Sequence, residues 1–219
     1  MVAGIGFTLS WLAGLAQPVP NLALNAPATE IIGKFGPHLA AVQAQFALTE
    51  GLPALGLAVV ALALARAARR PGSAAGAGTG RARARIIAVA GTVAALISAA
   101  QYALGVTLAG WAIPDHAAGQ ASALWQAVNR LDGVKMFALA VLAAAALALA
   151  APAGSGAVLP RWLRYASLLL AATITVSGVA YLFLIQDLAF MAYVAGPALL
   201  VWVTGVGLAL GRIPRRASR

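Results

Sequence analysis

LAFMAYVAGPALLVWVTGVGLAL, Leu188 to Leu210, runs for 23 residues without a charged side chain and stops at Gly211-Arg212. As a helix rising about 1.5 Å per residue it is about 34 Å long. That length crosses a hydrocarbon core of about 30 Å. The rest of the chain agrees with this segment. Of 219 residues, 62% are hydrophobic and only 9% charged, whereas soluble domains carry about 25% charged residues. So few charges cannot cover a water-facing surface. The apolar runs are long and continuous rather than short and alternating, which excludes a strand barrel. The fold class expected is all-α, a polytopic transmembrane helix bundle.

The formal net charge is +10, and its distribution matters more than its size. Twelve of the 15 basic residues fall in three clusters beside apolar runs. They are Arg66, Arg69, Arg70, Arg81, Arg83 and Arg85; Arg161 and Arg164; and Arg212, Arg215, Arg216 and Arg219. None of the five acidic residues lies among them. This is the positive-inside pattern, with Lys and Arg held in short cytoplasmic loops. It argues against nucleic acid as a partner and for membrane lipids, whose anionic headgroups attract such clusters. The Ala, Arg and Gly bias suggests a high-GC bacterium, hence a multi-pass protein of the bacterial cytoplasmic (inner) membrane. With no cysteine, disulfides, thiolate metal sites and cysteine nucleophiles are excluded.

Six spans are expected in a single domain of residues 1–219, with both termini cytoplasmic. They cover residues 1–16, 38–66, 86–111, 132–151, 164–185 and 188–210. Met1 to Ala16 is read as a retained first helix. Ala16 offers a small residue for signal cleavage, but the segment before it has no Lys or Arg. Gln17 to Pro37 is an outer loop carrying a short interfacial helix, Glu30 to Phe35, with Thr29 as its N-cap. Residues 71–80, rich in Gly and Ala, read as a mobile cytoplasmic linker. Ala121 to Arg130 reads as a second interfacial helix, and Asp132 begins the fourth span. Small residues recur at four-residue spacing, as in Gly91-Ala95-Ala99, Ala140-Ala144-Ala148 and Gly207-Gly211. They predict close backbone approach between helices, with a dimer interface through Gly207 and Gly211 as the alternative.

Leu159-Pro160-Arg161-Trp162-Leu163-Arg164 precedes the fifth span. This segment resembles bacterial membrane proteins of domain-of-unknown-function family 4386 and their actinobacterial relatives. Those proteins often show Leu-Pro-Arg-Trp-Leu-Gly where a late helix begins on the cytoplasmic side. Arg164 stands here in place of that glycine. Asn129 to Lys135 is also similar to the family, so the resemblance covers Asn129 to Arg212 and, less clearly, the second span. It implies a six-helix fold and no assigned activity. A Pro-Arg-Trp start is also what interfacial physics favours.

Polar groups inside a bilayer are expensive, at about 2.5–3.5 kcal/mol for a charge at mid-helix. Counted from the inner arginines, or from Pro152 for Lys135, the residues Glu50, Gln101, Lys135, Tyr181 and Tyr193 all fall about 24–28 Å along their helices. Five polar groups from five helices thus share a depth, and Asn129, Asp132, Gln186 and Asp187 lie just beyond. The expectation is an outward-facing polar pocket with Glu50 and Lys135 as its charge pair. The ligand-binding candidates are Glu50, Gln101, Tyr102, Lys135, Tyr181 and Tyr193. The structural alternative makes Asp132 a helix cap, lets Lys135 reach the interface along its own stem, and puts the tyrosines in the aromatic belt. Trp11, Trp111 and Trp125 are assigned to that outer belt and Trp202 to the core.

The function expected is binding, moving or sensing a small amphiphile or isoprenoid ligand, or supporting a membrane partner. The alternative is a membrane-embedded enzyme, such as a small integral-membrane terpene cyclase. Glu50 or Asp132 would then be the catalytic acid, and Tyr102, Trp111, Phe137 and Tyr181 would face a cationic intermediate. No metal or cofactor is implied. His38 and His116 have no third ligand at useful spacing, and no dinucleotide or phosphate loop is present.

Overall fold

The computed structural model describes residues 1–69, 77–150 and 159–212, with side chains from Gly80 onward in the second stretch. Eight α-helices are present among the described residues: α1 (Val2–Leu15), α2 (Ala28–Phe35), α3 (Leu39–Phe46), α4 (Leu52–Ala68), α5 (Ala77–Thr107), α6 (Ala118–Leu147), α7 (Trp162–Phe183) and α8 (Ala192–Gly211). No strand occurs among the described residues. Helices α4, α5, α6, α7 and α8 pack in chain order, and α1 closes the ring between α8 and α4.

Four helical segments are long and apolar enough to cross a membrane: Ala28–Ala68, Gly80–Ala112, Trp162–Phe183 and Gln186–Gly211. The 22 residues of α7 rise about 33 Å. Large apolar side chains point outward on every one of these segments, including Leu55, Val59, Leu62, Val89, Leu96, Leu169 and Val201. A water-soluble bundle turns a polar face outward. This one turns apolar faces both inward and outward, as a lipid-solvated bundle does. Helix α6 is long enough too, at 30 residues, but it carries Arg130, Asp132 and Lys135. Helix α1 has only 14 residues, about 21 Å.

Close backbone contacts place α1. Gly4 meets Val203 and Gly207 of α8, Gly14 meets Leu48 and Thr49, and Gly211 meets Met1. Helix α1 therefore lies lengthwise against α8 and the segment before α4, and Met1 and Gly211 share one end of the bundle. Gly207 and Gly211 serve packing within the chain. At Gly91 of α5, an added Cβ would collide with Ala61 of α4, which is the small-residue contact expected there. Another close crossing joins α6 to α7, where a Cβ on Gly133 would lie 2.5 Å from the Leu182 nitrogen and 2.7 Å from the Gly178 oxygen.

Several expected boundaries move. The interfacial helix and the second span are one continuous helical segment, Ala28–Ala68. Pro27, not Thr29, holds the N-cap position of α2, with no side-chain cap. The helix expected at 121–130 and the fourth span are likewise one helix, α6, which starts at Ala118 and leaves Asp132 in mid-helix rather than at a cap. It ends at Leu147, short of the expected 151. The last span begins with a 3-10 turn, Gln186–Met191, before α8. Within the expected linker, residues 77–80 form the first turn of α5, and residues 71–76 lie outside the described residues.

Two prolines reshape the helices in the same way. Pro53 has no N–H, so the carbonyl of Thr49 loses its regular donor. The chain widens into a π turn at Ala47–Gly51, and Leu52 N–H donates to the Ala47 carbonyl. Before Pro114 a second π turn spans Leu108–Ala112, with Ile113 N–H donating to the Leu108 carbonyl at 3.1 Å. Such turns displace the side chains they contain, and they recur at functional sites. Glu50 sits in the first.

Candidate functional site

Helix α6 carries Asp132 and Lys135 one turn apart, so both project from one face. The Lys135 ammonium donates to Asp132 Oδ1 at 2.6 Å and to Glu50 Oε2, across the bundle, at 2.7 Å. The side chains of Lys135 and Glu50 are only 11% and 12% exposed. On α5, the buried Ser98 hydroxyl donates to the Glu50 carboxylate. One turn further along α5, Gln101 Nε2 donates to Asp132 Oδ1 at 3.3 Å and to the Val128 carbonyl at 3.1 Å. Three elements therefore meet in one buried polar cluster, and burial requires this pairing.

Above the cluster lies a cavity of about 270 Å³. Glu50, Gln101, Asp132 and Tyr181 line its polar side. Five aromatic rings line it in all: Trp11, Phe35, Phe46, Trp125 and Tyr181. Lys135 holds the two carboxylates from outside that lining. The cavity lies at the end of the bundle opposite Arg66, Arg85, Arg164 and Arg212.

Its mouth is formed by residues 17–26, which are tied down from below. Trp125 Nε1 donates to the Ala23 carbonyl at 2.8 Å, and Asn129 Nδ2 to the Leu24 carbonyl at 3.1 Å. Leu24 N–H donates to Gln186 Oε1 at 2.9 Å. These side chains supply the backbone partners that a segment without helix or sheet lacks. Phe35 of α2 meets the Trp125 ring edge to face, centroids 5.5 Å apart.

No protein-family model, curated protein or solved structure matches this chain.

The site is therefore read from its own geometry. Of the residues expected to bind a ligand, the structure brings Glu50, Gln101, Lys135 and Tyr181 together. Tyr102 does not line the cavity: its ring covers Gly51 on the outer side of the π turn and is 38% exposed. Tyr193 is 78% exposed on the bundle surface. Asp132, expected as a catalytic acid only under the enzyme reading, is in the cluster. Of the four aromatics expected around a cationic intermediate, only Tyr181 lines the cavity; Tyr102, Trp111 and Phe137 do not. Trp11 and Trp125, expected in the outer belt, line the cavity. Trp202 is in the core and donates to Ser167 Oγ at 2.7 Å.

Sequence reasoning missed Ser98, Asn129 as a clamp on Leu24, and the wall formed by Phe35 and Phe46. Depth counting along a helix carries no azimuth, so it cannot separate Tyr181 from Tyr193. No three His, Cys, Asp or Glu side chains converge as a metal site among the described residues. His38 and His116 are both exposed.

Proposed function

We propose that this is a six-span protein of a bacterial cytoplasmic membrane, with its termini inside, and that its outward-facing cavity binds a small amphiphile. The cavity that joins a buried ionic floor to aromatic and aliphatic walls carries the reading. A polar head meets the floor and an apolar body meets the walls, which is the usual make-up of a ligand site. The other supports are the single end shared by Met1 and Gly211, the passage of α1 between α4 and α8, and the arginines gathered away from the cavity. Helix α6 enters the bilayer because Asp132 and Lys135 are paired inside the bundle, hidden from lipid. The resemblance of Asn129–Arg212 to domain-of-unknown-function family 4386 is consistent with six helices and assigns no activity.

The test is the composition of the purified protein. A bound amphiphile near one per chain, detected by native mass spectrometry after mild extraction, is the expected result. Leu22→Trp fills the mouth and should deplete it. Equal recovery from both folded proteins would overturn the reading.

A second reading rests on one observation: two carboxylates and five aromatic rings share the cavity. That is the equipment of an acid-initiated reaction on an isoprenoid. The contacts of Lys135 weigh against it. Glu50 Oε2 and Asp132 Oδ1 both accept from the ammonium, and a neighbouring cation favours the charged carboxylate over an acid with a proton to give. Incubation with polyprenyl and epoxy-polyprenyl substrates decides the matter. A cyclised product that disappears in folded Glu50→Gln would establish the enzyme.

A further inference from the structure

Gln101 is 1% exposed, and its Oε1 has no hydrogen-bond partner among the described residues. The orientation of its amide follows from its neighbours. Both partners of Nε2, the Val128 carbonyl and Asp132 Oδ1, can only accept, so the nitrogen must face them and the oxygen must face away. A buried carbonyl oxygen without a donor is costly, and such groups recruit a partner. Gln101 lines the cavity and its oxygen is fully buried there, so an occupant supplies that donor once the amide side chain turns toward it.

The charge of the floor is the independent observation. Lys135 bridges Glu50 and Asp132, and two carboxylates around one ammonium leave one formal negative charge. No other basic side chain forms an ion pair with this cluster among the described residues. Asn129 spends its amide hydrogens on the carbonyls of Leu24 and Trp125, as Gln101 spends its own. The floor thus offers acceptors and negative charge. Trp11, Trp125 and Tyr181 line the walls, and the faces of such rings attract cations.

We infer that the ligand's head is a primary ammonium, which gives hydrogens to Gln101 Oε1 and the Glu50–Asp132 carboxylates while its apolar body lies among the aromatic walls. This rests on the ligand-pocket reading and adds the chemistry of the head. An anionic head would meet like charge, and an alcohol would satisfy Gln101 without balancing the charge. A free amine and the headgroup of an aminophospholipid both carry the group.

The experiment titrates hexylammonium, hexanol and hexanoate into the full-length protein in phosphatidylcholine nanodiscs, following tryptophan fluorescence and melting temperature. Hexylammonium should quench saturably and bind at least about tenfold tighter than hexanol, with hexanoate weakest. Asp132→Asn removes the excess charge and should erase most of the preference for the cation. The series on the wild-type protein needs no variant and stands if Asp132→Asn fails to fold. Equal binding of all three compounds would overturn the ammonium inference and leave the amphiphile pocket standing. Absence of saturable binding by all three, with no change in Leu22→Trp, would overturn the pocket and the ammonium inference together. Repeating the titration with phosphatidylethanolamine in the discs identifies the source. Lost hexylammonium binding assigns the site to the lipid headgroup and unchanged binding to a free amine; either supports the proposal.

Discussion

The Lys135 ammonium lies 2.7 Å from Oε2 of Glu50, a residue 85 positions earlier in the chain. The contact closes the polar floor between α6 and the π turn before α4. It is the one ion pair among the described residues that joins two distant elements.

The three charges of that floor should respond unequally to substitution. Lys135→Met leaves two buried carboxylates facing each other without a cation, and we expect a loss of about 3–5 kcal/mol. Glu50→Gln leaves the Lys135–Asp132 pair neutral and hydrogen-bonded, and should cost about 1–3 kcal/mol. The double variant should lose less than the two separate losses added. Denaturation by sodium dodecyl sulfate from mixed micelles measures all three, and additive losses would show that Glu50 and Lys135 do not interact.

Gly133 should tolerate no side chain. An alanine Cβ there would press on backbone atoms of α7, the Leu182 nitrogen and the Gly178 oxygen, which cannot rotate away. Gly133→Ala is expected to separate α6 from α7 and to cost about 1–3 kcal/mol. Gly33 of α2 has open space where its Cβ would be, so Gly33→Ala should stabilise by up to about 1 kcal/mol. Thermal melts of the two variants in one detergent should shift in opposite directions, and a shared sign would refute the packing argument.

Segment 17–26 should open when its ties are cut. Asn129→Ala leaves the Leu24 carbonyl without its donor, at about 1–2 kcal/mol. Hydrogen exchange at Leu22 to Ala26 should then accelerate while exchange in α7 stays unchanged. Acceleration spread over the bundle would mean that Asn129 holds the fold rather than the mouth of the cavity.

The chain has no native cysteine, which makes its orientation simple to test. Asn25 and Asp115 are exposed at the cavity end, and Arg69 and Arg212 at the other. With single cysteines on intact cells, an impermeant thiol reagent should label Asn25→Cys and Asp115→Cys only. Labelling of Arg69→Cys would reverse the orientation.

The sequence alone determined the helical class, the apolar exterior and the arginine-marked end, because these follow from composition and from the length of uninterrupted apolar runs. It also singled out Glu50 and Lys135, because a charge inside an apolar run needs a partner wherever it folds. It placed Asp132 at the start of a helix, although α6 begins at Ala118. A polar residue before Gly133 looks like a boundary, whereas Gln101 and Lys135 bury it in mid-helix. It grouped Tyr102 and Tyr193 with the site because residues at one depth can face opposite ways around a helix. Only the tertiary structure chose the azimuth: the π turn before Pro53 carries Glu50, and the Gly133–Gly178 crossing holds α7 against α6 and so brings Tyr181 to the cavity. Those choices depend on contacts between residues far apart in the chain, and no local pattern records them.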